Sequence, residues 1–296
     1  MQLSQLFGTV LGKDLPNVFG SSGFPTFPLN TDGIDPSGTN VYIRNVNITN
    51  YDDAVAVKPA HNTNKIATCA QNITVEDCYV FNGVGMSIGS VPPRDSFACV
   101  RDVYFKNIVM DYPLKGIYLK TNPGQKGNGI IENIKYENFI MNTPVWWAIY
   151  IGPQQQHQPS GAGPGCMFYP LAPHCETQPR VPFRNITLEN IQSVHGLLPP
   201  GIIRCNETAP CHEFTFNNVQ MSGWWDWFGY GYITENIYGV SNNSYPEPGF
   251  MAEDGTVAKR TFRHDPKNVL QGLFFAVADY VINGFRLPKL QLPKFF

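Results

Sequence analysis

Short runs in which apolar and polar residues alternate recur along the chain from Val41 onwards. Six runs share one pattern: VYIRNVNI, NITVEDCYV, DVYFKNIVM, NIKYENFIM, NITLENIQSV and EFTFNNVQM. Because successive side chains of a strand point to opposite faces, this alternation predicts β-strands with one buried face. The polar residues at the matching place, Asn45, Asp77, Asn107 and Asn138, are 32, 30 and 31 residues apart. The pattern therefore indicates one repeated structural unit.

A second set of short strands is interleaved with the first. Its members DAVAVKP, GMSIGSV, GIYLKTN and WAIYIGP begin at Asp53, Gly85, Gly116 and Trp147, which are 32, 31 and 31 residues apart. Two strand sets that share one period predict a solenoid, because each coil then supplies strands to parallel sheets. We predict an all-β fold, a single-stranded right-handed parallel β-helix with coils of about 31 residues. The recurrent asparagines are expected to stack along its axis.

Other repeat and β folds fit this pattern less well. Leucine-rich and ankyrin repeats would show helical patterning, which these runs lack. A twisted β-sandwich is the alternative, but its strands should follow one another at spacings of about 8–12 residues, without the longer period.

The repeat divides the chain into three predicted parts. Residues 1–29 form an initial segment or an incomplete first coil, residues 30–239 form the β-helix, and residues 240–296 form a C-terminal cap or tail. The step from Asn138 to Asn190 is 52 residues, so an insertion that includes QQQHQPSGAGPGCMFYPLAPHC interrupts the coils. We expect this Pro/Gly-rich segment to be a surface loop that walls a cleft. The apolar run NVLQGLFFAVADYVINGF is the predicted cap.

Composition narrows the classes of ligand. Only 15% of the 296 residues are charged and the net charge is −2, so there is no basic surface for nucleic acid. An acidic ligand must therefore be held by local cations. The first residues lack the pattern of a secretory signal, and no apolar stretch is long enough to span a membrane. Five N-x-S/T triplets, at Asn47, Asn72, Asn185, Asn206 and Asn242, permit glycosylation.

Seven cysteines occur without any CxxC pair, which argues against a zinc site. Cys205 and Cys211 bracket one short loop, and Cys166 and Cys175 bracket another, so local disulfides are one interpretation. Reduced cysteines buried in a β core are the alternative. The odd number leaves at least one free thiol.

Three carboxylates stand in two clusters about one coil apart. Asp32 lies in NTDG, while Asp52 and Asp53 precede the strand AVAV. Strands of neighbouring coils lie roughly 4.7–4.9 Å apart, so the two clusters are expected to face one cleft. Consecutive strand residues point to opposite faces, so Asp52 and Asp53 can share that cleft only if they occupy a bend. Val84 lies one coil further on, and Lys120 lies one coil beyond it.

The motifs NTD, DD, GVG and YLK, in this order, resemble those of the polygalacturonase family, glycoside hydrolase family 28. The resemblance implies a right-handed parallel β-helix that hydrolyses pectin with inversion of configuration. It implies that Asp53 is the general acid and that Asp32 and Asp52 activate the attacking water. It also implies that Lys120 binds a substrate carboxylate and that Asn30 supports the site. Tyr150 matches a substrate-contacting tyrosine of the family.

The spacing of carboxyl groups and their pKa values are the physical requirements of these roles. An inverting glycosidase separates its two carboxyl groups by about 6.5–9.5 Å to leave room for a water. Clustered aspartates raise the pKa of at least one member, as a general acid requires.

Two residues depart from the family motifs. Val84 stands where the family has histidine, and Tyr118 stands where it has arginine. Valine donates no side-chain hydrogen bond and tyrosine cannot clamp a carboxylate in two places, so Tyr118 is expected to stack on a sugar ring instead. Three alternatives follow: a rhamnogalacturonan-type hydrolase, a catalytically weak β-helix that binds acidic glycan, and a structural solenoid that binds none.

The resemblance also sets expectations for partners and location. The partner is a pectic polysaccharide, with no nucleic acid, no membrane, no metal and no cofactor. The protein is expected to be a monomer in the extracellular space or cell wall. The family usually has several coils before NTD whereas this chain allows about one, so the sequence is expected to be part of a longer protein.

Overall fold

The chain winds into a parallel β-solenoid. The structure is a computed structural model that describes residues 2–4, 7–9, 31–60, 69–156, 165–166, 169–171 and 174–252. Sixteen strands, numbered in chain order, build two sheets in these residues. The first sheet contains β1 (Gln2–Ser4), β2 (Phe7–Thr9), β3 (Thr39–Arg44), β4 (Asn47–Asn50), β6 (Ala70–Asn82), β8 (Phe97–Asp111), β10 (Asn128–Asn142), β12 (Phe183–Gly196), β14 (Cys211–Gly223) and β16 (Ile237–Asn242). The second contains β5 (Val55–Val57), β7 (Met86–Val91), β9 (Ile117–Thr121), β11 (Ile149–Pro153), β13 (Gly201–Arg204) and β15 (Ile233–Glu235).

Each strand pairs in parallel with the equivalent strand of the next coil. In the second sheet, for example, Ser87 pairs with Tyr118, Tyr118 with Tyr150, and Tyr150 with Ile202. The described residues contain no α-helix, and the single 3-10 turn covers Trp224–Phe228. No helix among them is long and apolar enough to cross a bilayer. The prediction of an all-β parallel solenoid is confirmed.

The long strands turn corners at asparagine and aspartate residues. Asp77, Asn107, Asn138 and Asn190 all have φ between 53° and 57°, a left-handed conformation that Asn and Asp adopt more readily than other side chains. The Asn107 amide donates to Asp77 at 2.9 Å, that of Asn138 to Asn107 at 3.0 Å, and that of Asn190 to Asn138 at 3.2 Å. We call this series the corner ladder. The predicted stacking of these residues is confirmed.

The space between the two sheets is an apolar core. Inward-facing side chains of successive coils lie directly above one another, as in the series Val75, Phe105, Tyr136 and Leu188, all with no exposed surface. The Phe105 and Tyr136 rings stack with centroids 4.7 Å apart. Removing these side chains from water drives formation of the coil.

A second apolar cluster lies on the outer face of the second sheet. It is built on Tyr118, Tyr150 and Ile202, whose neighbours along each strand point into the core. We call this the outer cluster; its other buried members are Val84, Trp147, Cys166, Tyr169 and Cys175. Cys166, Tyr169 and Cys175 belong to the predicted insertion, so its described residues pack over this part of the sheet.

Three disulfides tie the coils and loops together, Cys69–Cys99, Cys166–Cys175 and Cys205–Cys211. The two local pairs expected from the sequence are therefore formed. The remaining cysteine, Cys78, is a buried free thiol.

The ends of the chain are described only in part. At the N-terminus, β1 and β2 add in parallel to β3 and β4, which places a rung of strand before the first predicted coil. The apolar run at residues 268–285, predicted to cap the solenoid, lies outside the described residues.

Candidate active site

Backbone pairing between neighbouring coils brings the two acidic motifs together. The Gly33 amide donates to the Asp53 carbonyl at 2.9 Å, and the Ile34 amide donates to the Ala54 carbonyl at 3.1 Å. The two segments therefore run side by side, one strand spacing apart. One carboxylate oxygen from each of Asp32, Asp52 and Asp53 lies within 4.8 Å of the others.

The two consecutive aspartates share one site because the chain bends there. The buried Asn50 side chain donates to the Thr31 carbonyl at 3.0 Å and to the Asp53 carbonyl at 2.8 Å. The Asp53 amide donates to Asp52 Oδ1 at 2.9 Å. These bonds hold a turn ahead of β5, as the sequence argument required.

The glycine at position 83 makes room for this turn. A Cβ at Gly83 would lie 2.5 Å from Asn50 Oδ1, and the residue has φ of +74°. A side chain there would displace Asn50, which fastens the turn. The adjacent Val84 contributes its backbone amide, which donates to the Asp52 carbonyl at 2.7 Å, while its side chain packs in the outer cluster.

Asp53 is the most buried of the three carboxylates, with 1% of its surface exposed. Ser87 Oγ donates to its Oδ1 at 2.7 Å, and the Lys120 ammonium donates to its Oδ2. Both oxygens of Asp53 therefore accept hydrogen bonds from side chains of the next two coils.

Lys58 holds the opposite side of the cluster. Its ammonium lies 3.2 Å from Asp32 Oδ2, 3.4 Å from Asp35 Oδ2 and 4.0 Å from Asp53 Oδ2. Burial acts to lower the pKa of Lys58, but attraction to these three carboxylates outweighs it and raises that pKa. Burial raises the pKa of Asp35 to about 6, with a contribution from Asp32 and against the attraction of Lys58.

The two predicted substrate-contacting tyrosines lie inside the outer cluster. Tyr118 and Tyr150 have no exposed surface, and their rings meet edge to face with centroids 5.5 Å apart. The Tyr118 hydroxyl donates to Gln156 Oε1 at 2.6 Å, and the Tyr150 hydroxyl donates to the Pro153 carbonyl at 2.7 Å. Their contact with a sugar stays a prediction, and these partners would have to move before a sugar could reach either ring.

A third lysine lies against these rings. The Lys115 ammonium is 4.6 Å from the ring centroid of Tyr118 and 5.5 Å from that of Tyr150, and only 3% of the residue is exposed. Burial, together with repulsion from the nearby Lys120, lowers the pKa of Lys115 to about 7, against the opposing attraction of Asp53 and Asp52.

The structure thus brings together Asp32, Asp52, Asp53 and Lys120, while Asn30 lies outside the described residues. Sequence reasoning missed Ser87, Lys58, Asp35 and Lys115. The alternation of the strands carried a signal for two of them, because Lys58 follows AVAV at an outward position and Ser87 pairs with the outward Ala56. Three converging carboxylates can also bind a cation, but here the ammonium groups of Lys58 and Lys120 lie among them.

The protein is thus a parallel β-solenoid that carries a cluster of aspartates on the outer face of one sheet, and two lysines form ion pairs with this cluster. The family model for glycosyl hydrolases family 28 matches residues 19–229, so the chain belongs to that family.

The chain is similar to several named proteins. The chain is 30% identical over 200 residues to a probable endopolygalacturonase D of Emericella nidulans, a match that covers 66% of this chain and 33% of that protein. It is 26% identical over 193 residues to rhamnogalacturonase A of Aspergillus aculeatus, covering 64% and 37%. A solved structure, endo-xylogalacturonan hydrolase from Aspergillus tubingensis, aligns with 78% of this chain and 55% of its own, with 18% identity and a TM-score of 0.42. The matches thus span about a third of the length of these two curated relatives.

Proposed function

We propose that this protein hydrolyses glycosidic bonds in a galacturonate-containing pectic polysaccharide. The observation that carries the proposal is the convergence of Asp32, Asp52 and Asp53 within 4.8 Å beside Lys120, in a chain of family 28. Hydrolysis of a glycoside needs one group to protonate the leaving oxygen and another to assist the attacking water. This cluster supplies both kinds of group.

The hydrogen bonds around Asp53 support an exchange of the roles that the resemblance implies. A general acid must carry a proton, but both oxygens of Asp53 accept bonds from Ser87 and Lys120. We therefore assign proton donation to Asp52, and activation of the water to Asp53 together with Asp32. In the step, Asp52 gives its proton to the leaving oxygen as the bond to the anomeric carbon breaks. The water attacks that carbon and transfers its proton to Asp53.

Inversion of configuration is part of the proposal and rests on the family resemblance. The three carboxylate oxygens lie within 4.8 Å of one another, closer than the carboxyl separation of about 6.5–9.5 Å typical of inverting enzymes. Three carboxylates can divide the work differently from two, because Asp32 and Asp53 can hold the water while Asp52 meets the leaving oxygen. The anomer of the first product decides the point.

A rhamnogalacturonan backbone is the second candidate substrate. Val84 and Tyr118 both lie in the outer cluster and present no cation, and the relatives include a rhamnogalacturonase. A third candidate is binding of acidic glycan without cleavage, since Asp53 and Lys120 are both at most 3% exposed.

The remaining expectations are proposals as well. Residues 30–239 are the catalytic β-helix, residues 1–29 are an initial segment or an incomplete first coil, and residues 240–296 are a C-terminal cap or tail. The protein acts as a monomer, without metal or cofactor, in the extracellular space or cell wall. Three disulfides support that location because they persist in oxidising compartments.

The test combines product analysis with two variants. Wild-type protein is incubated with polygalacturonate and with rhamnogalacturonan, reducing ends are counted, and the product anomer is followed by NMR. We expect inverted products from polygalacturonate, and a loss of at least about 10³-fold in Asp52→Asn and Asp53→Asn. Asp77→Asn is the matched control, because Asp77 is an exposed member of the corner ladder.

Substrates with different leaving groups separate the two roles. An aryl galacturonide with an acidic phenol needs little protonation, so Asp52→Asn should lose far less activity on it than on the polymer. Asp53→Asn should lose activity on both. The reverse pattern would restore Asp53 as the acid, and undiminished turnover in Asp53→Asn would overturn the proposed site.

A further inference from the structure

Lys115 is a buried cation that the proposed hydrolytic step does not use. It precedes β9, and 3% of its surface is exposed, the same as for Lys120. Within the part of the chain that the structure describes, no carboxylate forms an ion pair with Lys115. Burying an ammonium group that forms no direct ion pair is unfavourable. Such a group is typical of a functional site.

The other two lysines of the site already have anionic partners. Lys120 donates to Asp53, and Lys58 bridges Asp32 and Asp35. Lys115 is therefore the cation with the greatest gain from an incoming anion. A carboxylate bound there would be a directly paired anion and would accept a charge-assisted hydrogen bond from Lys115.

The two tyrosine rings fix where this ammonium lies. Lys115 and Lys120 both approach the Tyr118 ring, with ammonium-to-centroid distances of 4.6 and 4.8 Å. The rings attract the cation but do not neutralise its charge. The ring of Tyr118 thus sets Lys115 beside the lysine that contacts Asp53.

We propose that Lys115 is a specificity-determining residue that binds the carboxylate of a uronate unit next to the scissile bond. This inference rests on the proposed function, because it assumes that a sugar polymer occupies the site beside Asp53. A neutral sugar would leave the Lys115 charge unpaired, so the residue selects for an acidic unit at this position.

The ionisation of Lys115 supplies a readout. Because burial lowers its pKa to about 7, part of the population is neutral at pH 7, and a bound carboxylate would draw a proton onto it. The groups that act on Lys115 are Lys120, Asp53, Asp52 and the two tyrosines. Uptake that depends on Lys115 identifies it as the group that binds the proton.

The experiment is calorimetric titration at pH 7 with trigalacturonate and with its methyl ester, in two buffers of different ionisation enthalpy. For the acid, Lys115→Met should weaken binding roughly 10- to 100-fold and abolish its share of the proton uptake. For the ester the two proteins should differ less than about threefold. Lys106→Met is the matched control, since the Lys106 ammonium also lies over a tyrosine ring, 5.9 Å from the centroid of Tyr104, but on the first sheet.

Each outcome bears on the inference. Equal weakening for acid and ester, or no weakening, would overturn it, as would unchanged proton uptake in Lys115→Met. Should that variant fail to fold, wild type binding the acid and the ester equally tightly would overturn it instead. Acid-selective binding through Lys115 without cleavage of either polymer would uphold the inference while the proposed hydrolysis fails. Cleavage with no Lys115 effect would do the opposite.

Discussion

At the scale of single residues, the site is a balance of charges drawn from four successive coils. Asp32 and Asp35 come from one coil, Asp53 and Lys58 from the next, and Ser87 and Lys120 from the two after it. Ion pairs with Lys58 and Lys120 hold Asp32, Asp35 and Asp53 in place, so these carboxylates keep fixed directions. The cost of this arrangement falls on groups at its edge, Asp35 and Lys115, whose pKa values are displaced towards neutrality.

Asp35→Asn should make folding less dependent on pH. The folded-state pKa of Asp35 is about 6, above its ordinary value of 3.8, so the folded state binds this proton more tightly than the unfolded state. The stabilisation is complete below about pH 4 and is lost as pH rises through about 6. For a side chain that is 43% exposed, the loss in wild type should be only about 1 kcal/mol after screening.

Urea unfolding of wild type and Asp35→Asn at pH 4.5 and pH 7 measures this difference. Between pH 4.5 and pH 7, the free energy of unfolding of wild type should fall by about 1 kcal/mol more than that of Asp35→Asn. If the free energy of unfolding of Asp35→Asn instead fell more than that of wild type between pH 4.5 and pH 7, the raised pKa of Asp35 would be contradicted. Asp77→Asn, an exposed aspartate in the corner ladder, is the control.

At the scale of elements, a turn and the strand that follows it decide the geometry of the site. The Asn50 side chain holds the turn before β5 by a hydrogen bond to the Asp53 carbonyl. Gly83 of the next coil has no side chain and so leaves the space that Asn50 occupies. Position and direction of Asp52 and Asp53 therefore depend on a residue one coil away.

Gly83→Ala should reduce catalysis more than stability. Its Cβ would approach Asn50 Oδ1 to 2.5 Å, so Asn50 must move and the turn must shift. Small displacements of catalytic groups can lower kcat about 100-fold. Gly124→Ala is the matched control: Gly124 also has positive φ, +132°, but a Cβ there meets no described atom within 4 Å.

The comparison of kcat with the urea midpoint separates the two effects. Both variants should lose about 1 kcal/mol from the strained backbone, and only Gly83→Ala should lose most of its turnover. Equal kcat values in the two variants would show that Gly83 does not position the aspartates.

Strands and turns that repeat with the period could be predicted from the sequence, whereas contacts between side chains of different coils could not. Periodicity located the strands, the corner asparagines and the three aspartates, because each repeats or sits in a local motif. It could not find the pairing of Lys120 with Asp53, which depends on side-chain conformations across two coils. Nor did it predict that Tyr118 and Tyr150 would be buried, because the covering layer comes from an insertion that follows no period.

At the scale of the whole molecule, two layers meet on the second sheet. The inner layer is the solenoid core, and the outer cluster covers the sheet beside the aspartates. Arg204 joins the layers: its guanidinium lies 4.0 Å from the Tyr169 ring centroid and donates to Glu235 at 2.8 Å and to the Cys175 carbonyl at 3.1 Å. Arg204 thus fastens two residues of the outer cluster, Tyr169 and Cys175, to the strand β13.

Removing the Cys166–Cys175 disulfide should loosen this cover. The double variant Cys166→Ser/Cys175→Ser frees a loop with a sequence separation of 9, which costs up to about 2–3 kcal/mol in a chain-entropy estimate. We expect lower thermal stability and a several-fold fall in kcat/KM, since Tyr118 and Tyr150 lose packing. The control is Cys205→Ser/Cys211→Ser, with a separation of 6. Equal falls in kcat/KM would show that the effect is general destabilisation.

The corner ladder, and a parallel series that contains Asn133 and Asn185, both continue across the insertion. Asn190 donates to Asn138 at 3.2 Å and Asn185 donates to Asn133 at 3.0 Å, although 52 residues separate the members of each pair. The scaffold thus takes up a long extra segment without any change of pitch at its corners. We therefore expect loops between coils to tolerate insertion and exchange while the paired strands keep the three aspartates in position.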